Sequence, residues 1–598
     1  MQTPLPLYIL AWALASAAPA ALAAPPSERV FPSTTCGWIS TAGLAEVNQA
    51  FTASSLGRLG ADPALGPFLD SVRRAKASPL DGLEHASGLR WQELIEVAAG
   101  EAAGAVVEYP GEDAGLALYV AVDRASPAVD RVLADARRRL LAEGAQPTTI
   151  DGADAQAYRR PSGELVIYVL GPDYLISANH AGLAATLSQR AAAAAPAGGL
   201  GEEASFTESG LMAARQQPNA SPSMRFYVDL VTMLEVLDDR DAIDDEAGKL
   251  TPREEAAKHG YDAIRGLSGW VEWNGSGVDL SYRLGVLLQT PLRSSMKMVR
   301  LFDAELPQPP DWIPADSISF LTTYWDLTQI VPNLGVLFDE VAGDGIEGTF
   351  NDILVDLQAD DGPGVDLQGD LFEHLGPRVH VVKQQLLPVG PKSDCDSLLV
   401  QVDDEEAVAE AVEALVVGDP TVRRVPFPGR PHALWRVGVP QRADLQAVRF
   451  TTTGLTVANG HLVVATNFDV VRTLLGSSGQ ATRLADADDI RAATEWLLEN
   501  VGEQGCLRVV SRLYLDLHVT YELARQDKLD DAESIYASVA RLAAQESEQS
   551  AGGPDYALLP DYSLVAPYLG VDCLQGRLHP SGWVFEGALL APDAGPSK

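Results

Sequence analysis

Short apolar runs alternate with amphipathic segments along the chain, the pattern expected of strands covered by helices. Residues 116–122 (LALYVAV) and 397–402 (SLLVQV) are apolar runs of strand length. Residues 129–141 and 407–416 follow them and carry apolar side chains at helical spacing. The pattern therefore predicts a strand followed by a helix in each half of the chain.

Two β-hairpins are predicted from turn residues placed between apolar strands. The first joins residues 164–170 to residues 174–178 through the turn sequence Gly-Pro-Asp. The second joins residues 455–457 to residues 461–465 through Asn459-Gly460, a strong signal for a two-residue hairpin turn. Each half of the chain is therefore expected to contain a comparable hairpin.

The second half of the chain resembles the first at a nearly constant shift. Residues 174–187 align with residues 461–474 at a shift of 287, and Val122 aligns with Val402 at a shift of 280. Shorter matches in the same order are Tyr227, Asp229 and Leu230 with Tyr514, Asp516 and Leu517; Leu267 and Gly269 with Leu574 and Gly576; and Ser276-Gly277 with Ser581-Gly582. Self-similarity at a fixed shift indicates repeated units.

The predicted fold class is α+β, with two tandem diverged copies of one unit. Each copy opens on an apolar strand, at Trp38-Ile39 and at residues 318–322. Because strands outnumber those of a strand–helix–strand series, each copy is expected to have a mixed or antiparallel sheet covered by helices. The predicted domains are a signal peptide (1–23), a first α+β repeat (24–300), a Pro-rich linker (301–314) and a second α+β repeat (315–598).

The N-terminus has the features of a signal peptide. Residues 5–23 form an apolar stretch that ends in the small residues Ala21-Leu22-Ala23, and cleavage is expected after Ala23. The segment before it has no Lys or Arg, so an uncleaved anchor is the alternative. No later apolar run is long enough to cross a membrane. We therefore expect an exported protein, in the periplasm or outside the cell, with no membrane span after signal cleavage.

The net charge of the chain limits the classes of partner that it is expected to bind. With 44 Lys and Arg against 82 Asp and Glu, the formal net charge is −38. Such a surface repels phosphate backbones, so nucleic acid is excluded as a partner. The charge is typical of solubility, and a basic partner or diffuse cation binding is the alternative. An unknown protein or small ligand remains the expected partner, and the oligomeric state is left open.

Four distant cysteines leave two alternatives open. Cys36, Cys395, Cys506 and Cys573 form no CxxC pair, so a zinc site is not expected from their spacing. In an exported chain they either form up to two disulfides or are buried free thiols. Cys506 and Cys573 share a half, so they are the first choice for a pair.

Three aspartates are the strongest candidates for chemistry. Asp229, Asp326 and Asp516 each follow an aromatic-containing strand and precede a helical stretch. They are interpreted as helix caps, because an Asp at a helix N-terminus accepts free backbone N–H groups. The alternative is that Asp229 and Asp516 form a carboxylate pair for acid–base work or metal binding.

Other candidates are weaker, and no catalytic, cofactor-binding or metal-binding residues are predicted. The histidines His180, His374, His380 and His461 are scattered, and Ser294–Lys297 matches SxxK without further support. The acidic runs 238–246 and 486–489 lack the Gly and distal Glu of a calcium loop. Trp270, Trp273, Trp312 and Trp325 are interpreted as packing residues, with a carbohydrate-binding face as the alternative.

A family resemblance rests on three stretches, residues 310–327, 366–378 and 460–465. They resemble a family of exported bacterial proteins known only as a domain of unknown function. The resemblance implies an envelope location and brings no catalytic residues. The leading hypothesis is a non-catalytic exported binding or envelope protein without a cofactor. The alternatives are an envelope hydrolase whose site assembles only in three dimensions, and a passive surface or matrix component.

Overall fold

The fold is described from a computed structural model. It describes residues 24–75, 79–109, 114–150, 155–194, 196–214, 223–238, 250–274, 277–343, 345–426, 432–438, 452–476, 482–534 and 554–592. The predicted signal peptide and most of the acidic run 238–246 lie outside the described residues.

Within the described residues, twenty strands form one antiparallel sheet, ten from each half of the chain. The first ten are β1 (Thr35–Thr41), β2 (Ala98–Val107), β3 (Gly115–Val122), β4 (Gln146–Thr148), β5 (Ala155–Arg159), β6 (Leu165–Leu170), β7 (Tyr174–Ala178), β8 (Met224–Val228), β9 (Ile264–Trp273) and β10 (Val278–Leu288). A short strand β11 (Ala304–Glu305) follows and belongs to a separate two-stranded sheet.

The second half contributes the other ten strands of the large sheet. They are β12 (Ser319–Tyr324), β13 (Leu375–Gln385), β14 (Asp394–Val402), β15 (Val422–Val425), β16 (Leu434–Gly438), β17 (Thr452–Ala458), β18 (His461–Ala465), β20 (Leu507–Arg512), β21 (Val571–His579) and β22 (Gly582–Leu590). Strand β19 (Gln504–Gly505) pairs with β11 in the small sheet.

Helices cover both faces of the large sheet. In the first half they are α1 (Ser27–Val30), α2 (Leu44–Ala53), α3 (Ser55–Gly60), α4 (Gly66–Ala75), α5 (Pro79–Ser87), α6 (Trp91–Val97), α7 (Pro127–Ala142), α8 (Ala181–Ala192), α9 (Ala204–Ala213), α10 (Leu230–Asp238) and α11 (Pro252–His259). In the second half they are α12 (Ile330–Val341), α13 (Thr349–Gln358), α14 (Glu405–Val416), α15 (Phe468–Gly476), α16 (Asp488–Asn500), α17 (Leu513–Asp516) and α18 (His518–Arg525). No helix among these is long and apolar enough to cross a membrane.

The two halves have the same strand order. In the first half the neighbours are β4-β5-β6-β7-β3-β2-β1-β8-β9-β10. In the second half they are β15-β16-β17-β18-β14-β13-β12-β20-β21-β22. The halves join through their last strands, where Arg283 of β10 lies opposite Glu586 of β22 and pairs with it at 3.1 Å.

Each half buries two apolar layers, one on each face of its part of the sheet. On one face, α8 packs on β3, β6 and β7 in the first half, and α15 and α16 pack on the second half. On the opposite face, α7 and α14 bury apolar side chains such as Val132 and Val408. This two-sided burial explains why runs such as residues 116–122 are apolar without alternation.

The predicted elements and turns are confirmed where the signal is local. Both hairpins form, β6–β7 and β17–β18. Asn459 and Gly460 have φ values of 54° and 71°, the left-handed backbone that a two-residue hairpin turn of this type requires. The large sheet is antiparallel throughout, so the α+β class with helices over an antiparallel sheet is confirmed.

Candidate functional site

A row of polar side chains crosses five neighbouring strands of the second half. Direct cross-strand pairs place Asp396 beside Lys383, Lys383 beside Ser319, Ser319 beside Ser511, and Ser511 beside Asp572. Directly opposed residues of antiparallel strands point to the same face of the sheet. The five side chains therefore form one line on the face that α14 covers further along.

Lys383 is the centre of a buried set of charges. Its side chain is 5% exposed, and its Nζ lies 3.0 Å from Asp394 Oδ1 and 2.5 Å from Asp516 Oδ1. The other oxygen of Asp516 accepts a hydrogen bond from Ser511 Oγ at 2.8 Å. We call Lys383, Asp394, Asp396, Ser511, Asp516 and Asp572 the ionic cluster. The cluster therefore has four carboxyl groups and one ammonium group, which contacts two of them.

Burial sets the protonation of the ionic cluster. Desolvation raises the pKa of Asp396 to about 6, with Asp394 and Asp516 adding to the rise and Lys383 opposing it. Desolvation also raises the pKa of Asp572 to about 6, although its hydrogen bond from Tyr282 opposes the rise. For Lys383 burial opposes the charge, but the carboxylates of Asp394 and Asp516 raise its pKa overall. The lysine therefore stays protonated, and it is not a nucleophile.

The first half has apolar residues at the same place in the sheet. Its row of direct cross-strand pairs runs Leu116, Val106, Gly37, Val228 and Leu267. Matching hydrogen bonds indicate that Leu116 and Asp396 are equivalent. The amide of Leu116 donates to the side chain of Asn179 at 2.7 Å, and the amide of Asp396 donates to the side chain of Thr466 at 3.0 Å.

The equivalence extends to the residues around the row. Ala114 takes the place of Asp394, because each lies two residues before its row residue, Leu116 or Asp396. Met233 takes that of Asp516 when residues are counted from Val228 and Ser511, since each lies five residues further along the chain. Ala114 and Met233 are buried, with Val106 and Val228 packed against them. The fold is therefore built with an apolar cluster at this place in one half and with charges in the other.

An open cleft of about 610 Å³ lies beside the ionic cluster. It is bounded by α17, α18 and the turns around residue 562. Its lining residues are Val389, Tyr514, Leu515, His518, Glu522, Arg525, Gln526, Asp561, Tyr562, Ser563 and Ala566. Leu515 and His518 flank Asp516 in the chain, so the cleft and the ionic cluster share one short segment.

Aromatic rings form one wall of the cleft and carboxylates lie at its rim. His518 stacks on Tyr562 with ring centroids 4.7 Å apart, and Tyr521 packs on the same ring at 5.1 Å. Asp561 is exposed, and its carboxylate accepts hydrogen bonds from the backbone N–H and the hydroxyl of Ser563, which lower its pKa. Burial and then the charge of Asp516 raise the pKa of Tyr562. Two carboxylates, those of Glu522 and Asp561, and one guanidinium, that of Arg525, therefore line the cleft.

Arg525 is the one Arg or Lys among the described residues that line the cleft, and it is paired. Arg525 Nη2 lies 2.9 Å from Glu522 Oε2, one turn earlier on α18. The charge of Arg525 is thus shared between Glu522 and Asp561, so acidic groups exceed basic groups at this edge of the sheet.

The three candidate aspartates have different roles. Asp229 caps α10, since its carboxylate accepts from the N–H and the hydroxyl of Thr232. Asp326 accepts from the N–H of Thr328 and begins a 3-10 turn. The capping interpretation is confirmed for these two residues.

The capping interpretation is wrong for Asp516. It is the last residue of α17 rather than the residue before a helix, and its carboxylate contacts Lys383 and Ser511. The alignment of Tyr227 and Asp229 with Tyr514 and Asp516 is offset for the same reason. Tyr227 lies within β8, whereas Tyr514 lies in α17 after its strand has ended.

The other candidates have packing roles. Trp270 and Trp273 are buried, and the indole N–H groups of Trp270 and Trp325 donate to backbone carbonyls, so the packing interpretation is confirmed for these residues. His380 and His461 lie together with ring centroids 5.6 Å apart. Burial, followed by the nearby His461, lowers the pKa of His380 to about 3, which keeps this imidazole neutral.

The cysteines are buried free thiols. The first choice of a Cys506–Cys573 disulfide is wrong because the register of β20 and β21 separates them. Cys573 lies opposite Val510, whereas the amide of Cys506 donates to Gly576. Burial raises the pKa of Cys506 to about 12, so this thiol is unreactive.

Comparison of the chain with family models, with curated proteins and with solved structures finds no match.

The ionic cluster was missed in the sequence, although two signals for it are present. Lys383 ends an apolar strand segment (VHVVK), and Asp394 and Asp396 open another (DCDSLLV). Charged residues inside apolar strands are almost never buried without partners. That rule identifies the three residues as members of a site, but only the strand order brings Ser511 and Asp572 to them.

Proposed function

We propose that this protein is an exported, non-catalytic binding protein whose cleft captures a small organic cation. The observation that carries the proposal is the ionic cluster beside the cleft, at a place where the other half of the molecule is apolar. Buried charges are costly, and equivalent apolar packing satisfies the same fold. The charges are therefore best explained by a role in binding.

The chemistry of the cleft favours a cation. Its wall contains Tyr514, His518 and Leu515, and its rim carries the exposed Asp561. Aromatic rings and carboxylates together recognise ammonium groups, the rings through their π faces and the carboxylates through charge. The buried excess of carboxyl groups adds a negative field that is only weakly screened, because it acts through protein rather than through water.

The same cleft does not favour hydrolysis. Ser563 donates its hydroxyl hydrogen to Asp561 at 2.6 Å, and His518 Nδ1 lies 2.9 Å from the amide nitrogen of Gln385. A hydrolase of the serine type needs the histidine to take the proton of the serine hydroxyl. In the cleft that is described, the serine and the histidine are each engaged elsewhere, which supports binding over hydrolysis.

We further propose that the two halves are diverged copies of one unit, of which the second acquired the cleft. The common strand order supports this, as does the register. Ala117 of β3 is paired with Ala178 of β7. The alignment shift of 280 relates Ala117 to Ser397 and the shift of 287 relates Ala178 to Ala465, and these two residues are also paired, between β14 and β18. Export is proposed from residues 1–23, and membership of the exported bacterial family from the resemblance alone.

Titration of the mature protein, residues 24–598, with putrescine, 1,4-butanediol and succinate tests the proposed function. The three probes have the same length and are cationic, neutral and anionic. We expect putrescine alone to bind by calorimetry and to raise the melting temperature, because ligand that binds only the folded state stabilises it. Equal responses to the diol and the diamine contradict the proposal, as does no response to the diamine.

Two matched variants locate the binding. Asp561→Asn removes the exposed carboxylate of the cleft and is expected to weaken putrescine binding about tenfold. Glu499→Gln removes an exposed carboxylate of α16 on the other side of the sheet and is expected to leave it unchanged. Equal weakening of putrescine binding by both variants would mean that binding depends only on the net charge of the protein.

A further inference from the structure

We propose that Glu255, His259 and Glu340 form a zinc site between the two halves of the chain. Their ligand atoms all lie within 4.8 Å of one another. His259 Nε2 is 2.9 Å from Glu340 Oε2 and 3.8 Å from Glu255 Oε2. The site is separate from the cleft and does not depend on its function.

Two helices from different halves supply the three ligands. Glu255 and His259 are four residues apart on α11, so both side chains lie on one face of that helix. Glu340 lies near the end of α12, which belongs to the second half. The first turn of α11 is fixed by Thr251 and Glu254, whose side chains bond each other's backbone N–H groups. The ligands therefore come from an ordered helix face.

The imidazole is held in place before any ion arrives. His259 is 5% exposed, and its ring stacks on that of Tyr261 with centroids 5.5 Å apart. Gly260, with φ of 80°, ends α11 and turns the chain so that Tyr261 returns to the histidine. A buried, oriented imidazole loses little freedom when it binds a metal.

The donor set and its spacing fit zinc. One imidazole nitrogen and two carboxylate oxygens are ligands that Zn²⁺ uses, whereas Ca²⁺ and Mg²⁺ take oxygen ligands. Tetrahedral coordination at about 2.0–2.1 Å places ligand atoms about 3.3 Å apart. The observed 2.9 Å and 3.8 Å bracket that value, so small side-chain rotations complete the site. Three protein ligands leave a fourth position for water.

Lys258 competes with the ion. Its Nζ is bonded to Glu340 Oε2 and lies 3.9 Å from Glu255 Oε2, so the ammonium offsets one of the two negative charges. Its side chain is 38% exposed, which lets it turn into solvent when zinc binds. Because zinc would replace a mobile ammonium between the two halves, it would bind α11 to α12 more firmly.

Calorimetric titration of metal-free mature protein with ZnCl₂ tests the site, with the melting temperature as a second readout. We expect one Zn²⁺ per chain and a rise in melting temperature. Glu340→Gln and Glu255→Gln are each expected to weaken binding at least about tenfold. Glu347→Gln, an exposed carboxylate shortly after α12, is the matched control and is expected to bind as the unaltered protein does.

One variant distinguishes a metal site from a structural ion pair. Lys258→Met removes the competing ammonium and is expected to tighten zinc binding while it lowers the stability of the metal-free protein slightly.

Three results overturn the proposal. They are no zinc binding by the unaltered protein, undiminished binding by the double variant Glu255→Gln/Glu340→Gln, and no gain in affinity with Lys258→Met. The glutamate variants change exposed side chains, so folding does not limit the test even where a change at the buried His259 would.

Discussion

Each half carries a row of side chains at the same place in its part of the sheet. The row is apolar in the first half and polar or charged in the second. In the first half, Val106 lies between Leu116 and Gly37. In the second half, Lys383 lies between Asp396 and Ser319. The strand order and the register are the same around both rows. The comparison teaches that this fold needs no charge at this place.

The comparison also indicates what the charges cost. Taking ions out of water costs several kcal/mol per ion, and their mutual attraction recovers this only with good geometry. The raised pKa values of Asp396 and Asp572 show that these carboxyls lie in an unfavourable place for an anion. Removing Lys383 alone and replacing the lysine together with its neighbouring carboxyl groups should therefore have opposite effects on stability.

Removal of the single cation has the largest expected effect. Lys383→Met should destabilise the protein by about 3–5 kcal/mol, because it leaves buried carboxylates without a partner. Urea unfolding at pH 7 measures the change. Lys392→Met is the matched control: its ammonium pairs with Glu533 but is 53% exposed, so a loss of about 1 kcal/mol or less is expected. A loss at Lys383 no greater than at Lys392 would contradict the account of the cluster.

Replacement of five of the six cluster members, all except Asp572, by their first-half equivalents should reverse that loss. The five changes, taken from Val106, Ala114, Leu116, Val228 and Met233, are Lys383→Val, Asp394→Ala, Asp396→Leu, Ser511→Val and Asp516→Met. We expect a protein at least as stable as the original, by about 0–4 kcal/mol in urea unfolding, since apolar groups replace buried ions. A protein less stable than the Lys383→Met variant would show that the two places are not equivalent.

The pH dependence of stability tests the raised pKa of Asp396. Unfolded Asp396 ionises near 3.8, whereas in the folded protein it holds its proton up to about 6. The folded state therefore binds more protons between these values, and its stability falls as pH rises through this window. In the Asp396→Asn variant, the free energy of unfolding should fall less steeply with pH in this window, by about 1.4 kcal/mol per pH unit. Asp360→Asn, an exposed residue, is the control, and equal pH profiles for the two variants would contradict the prediction.

The smallest expected effects test whether the two rows are equivalent. Thr466→Val should cost about 1 kcal/mol, because the amide of Asp396 loses its acceptor. Asn179→Ala should cost about 2 kcal/mol, because Asn179 accepts from Leu116 and also donates to Ala114. Thermal unfolding of both variants measures the losses. A negligible loss at either site would weaken the register on which the comparison rests.

Local features of the fold were predictable from the sequence. The turn at Asn459-Gly460 and the helix predicted over residues 407–416 depend on residues close in the chain. The alignment shifts for β3 and β7 also agreed with the observed strand pairs, since strands and hairpins keep their lengths in both halves. These features follow from turn chemistry and from apolar patterning.

The site was not predictable, for a physical reason. Lys383 and Asp516 are 133 residues apart, and no local pattern links a lysine at the end of one strand to an aspartate in a helix after another. The match of Tyr-Val-Asp-Leu to Tyr-Leu-Asp-Leu suggested equivalent caps, but α17 begins before its aspartate and α10 begins after. Likewise, Glu255 and His259 form a helix pair, whereas Glu340 comes from the other half.

The most direct test of the central claim is putrescine binding by the five-residue apolar replacement. The claim is that the ionic cluster serves the cleft and not the fold. It predicts a protein that unfolds cooperatively, is as stable as the original, and binds the diamine at least about tenfold more weakly. A stable replacement that binds putrescine as tightly as the unaltered protein would contradict it.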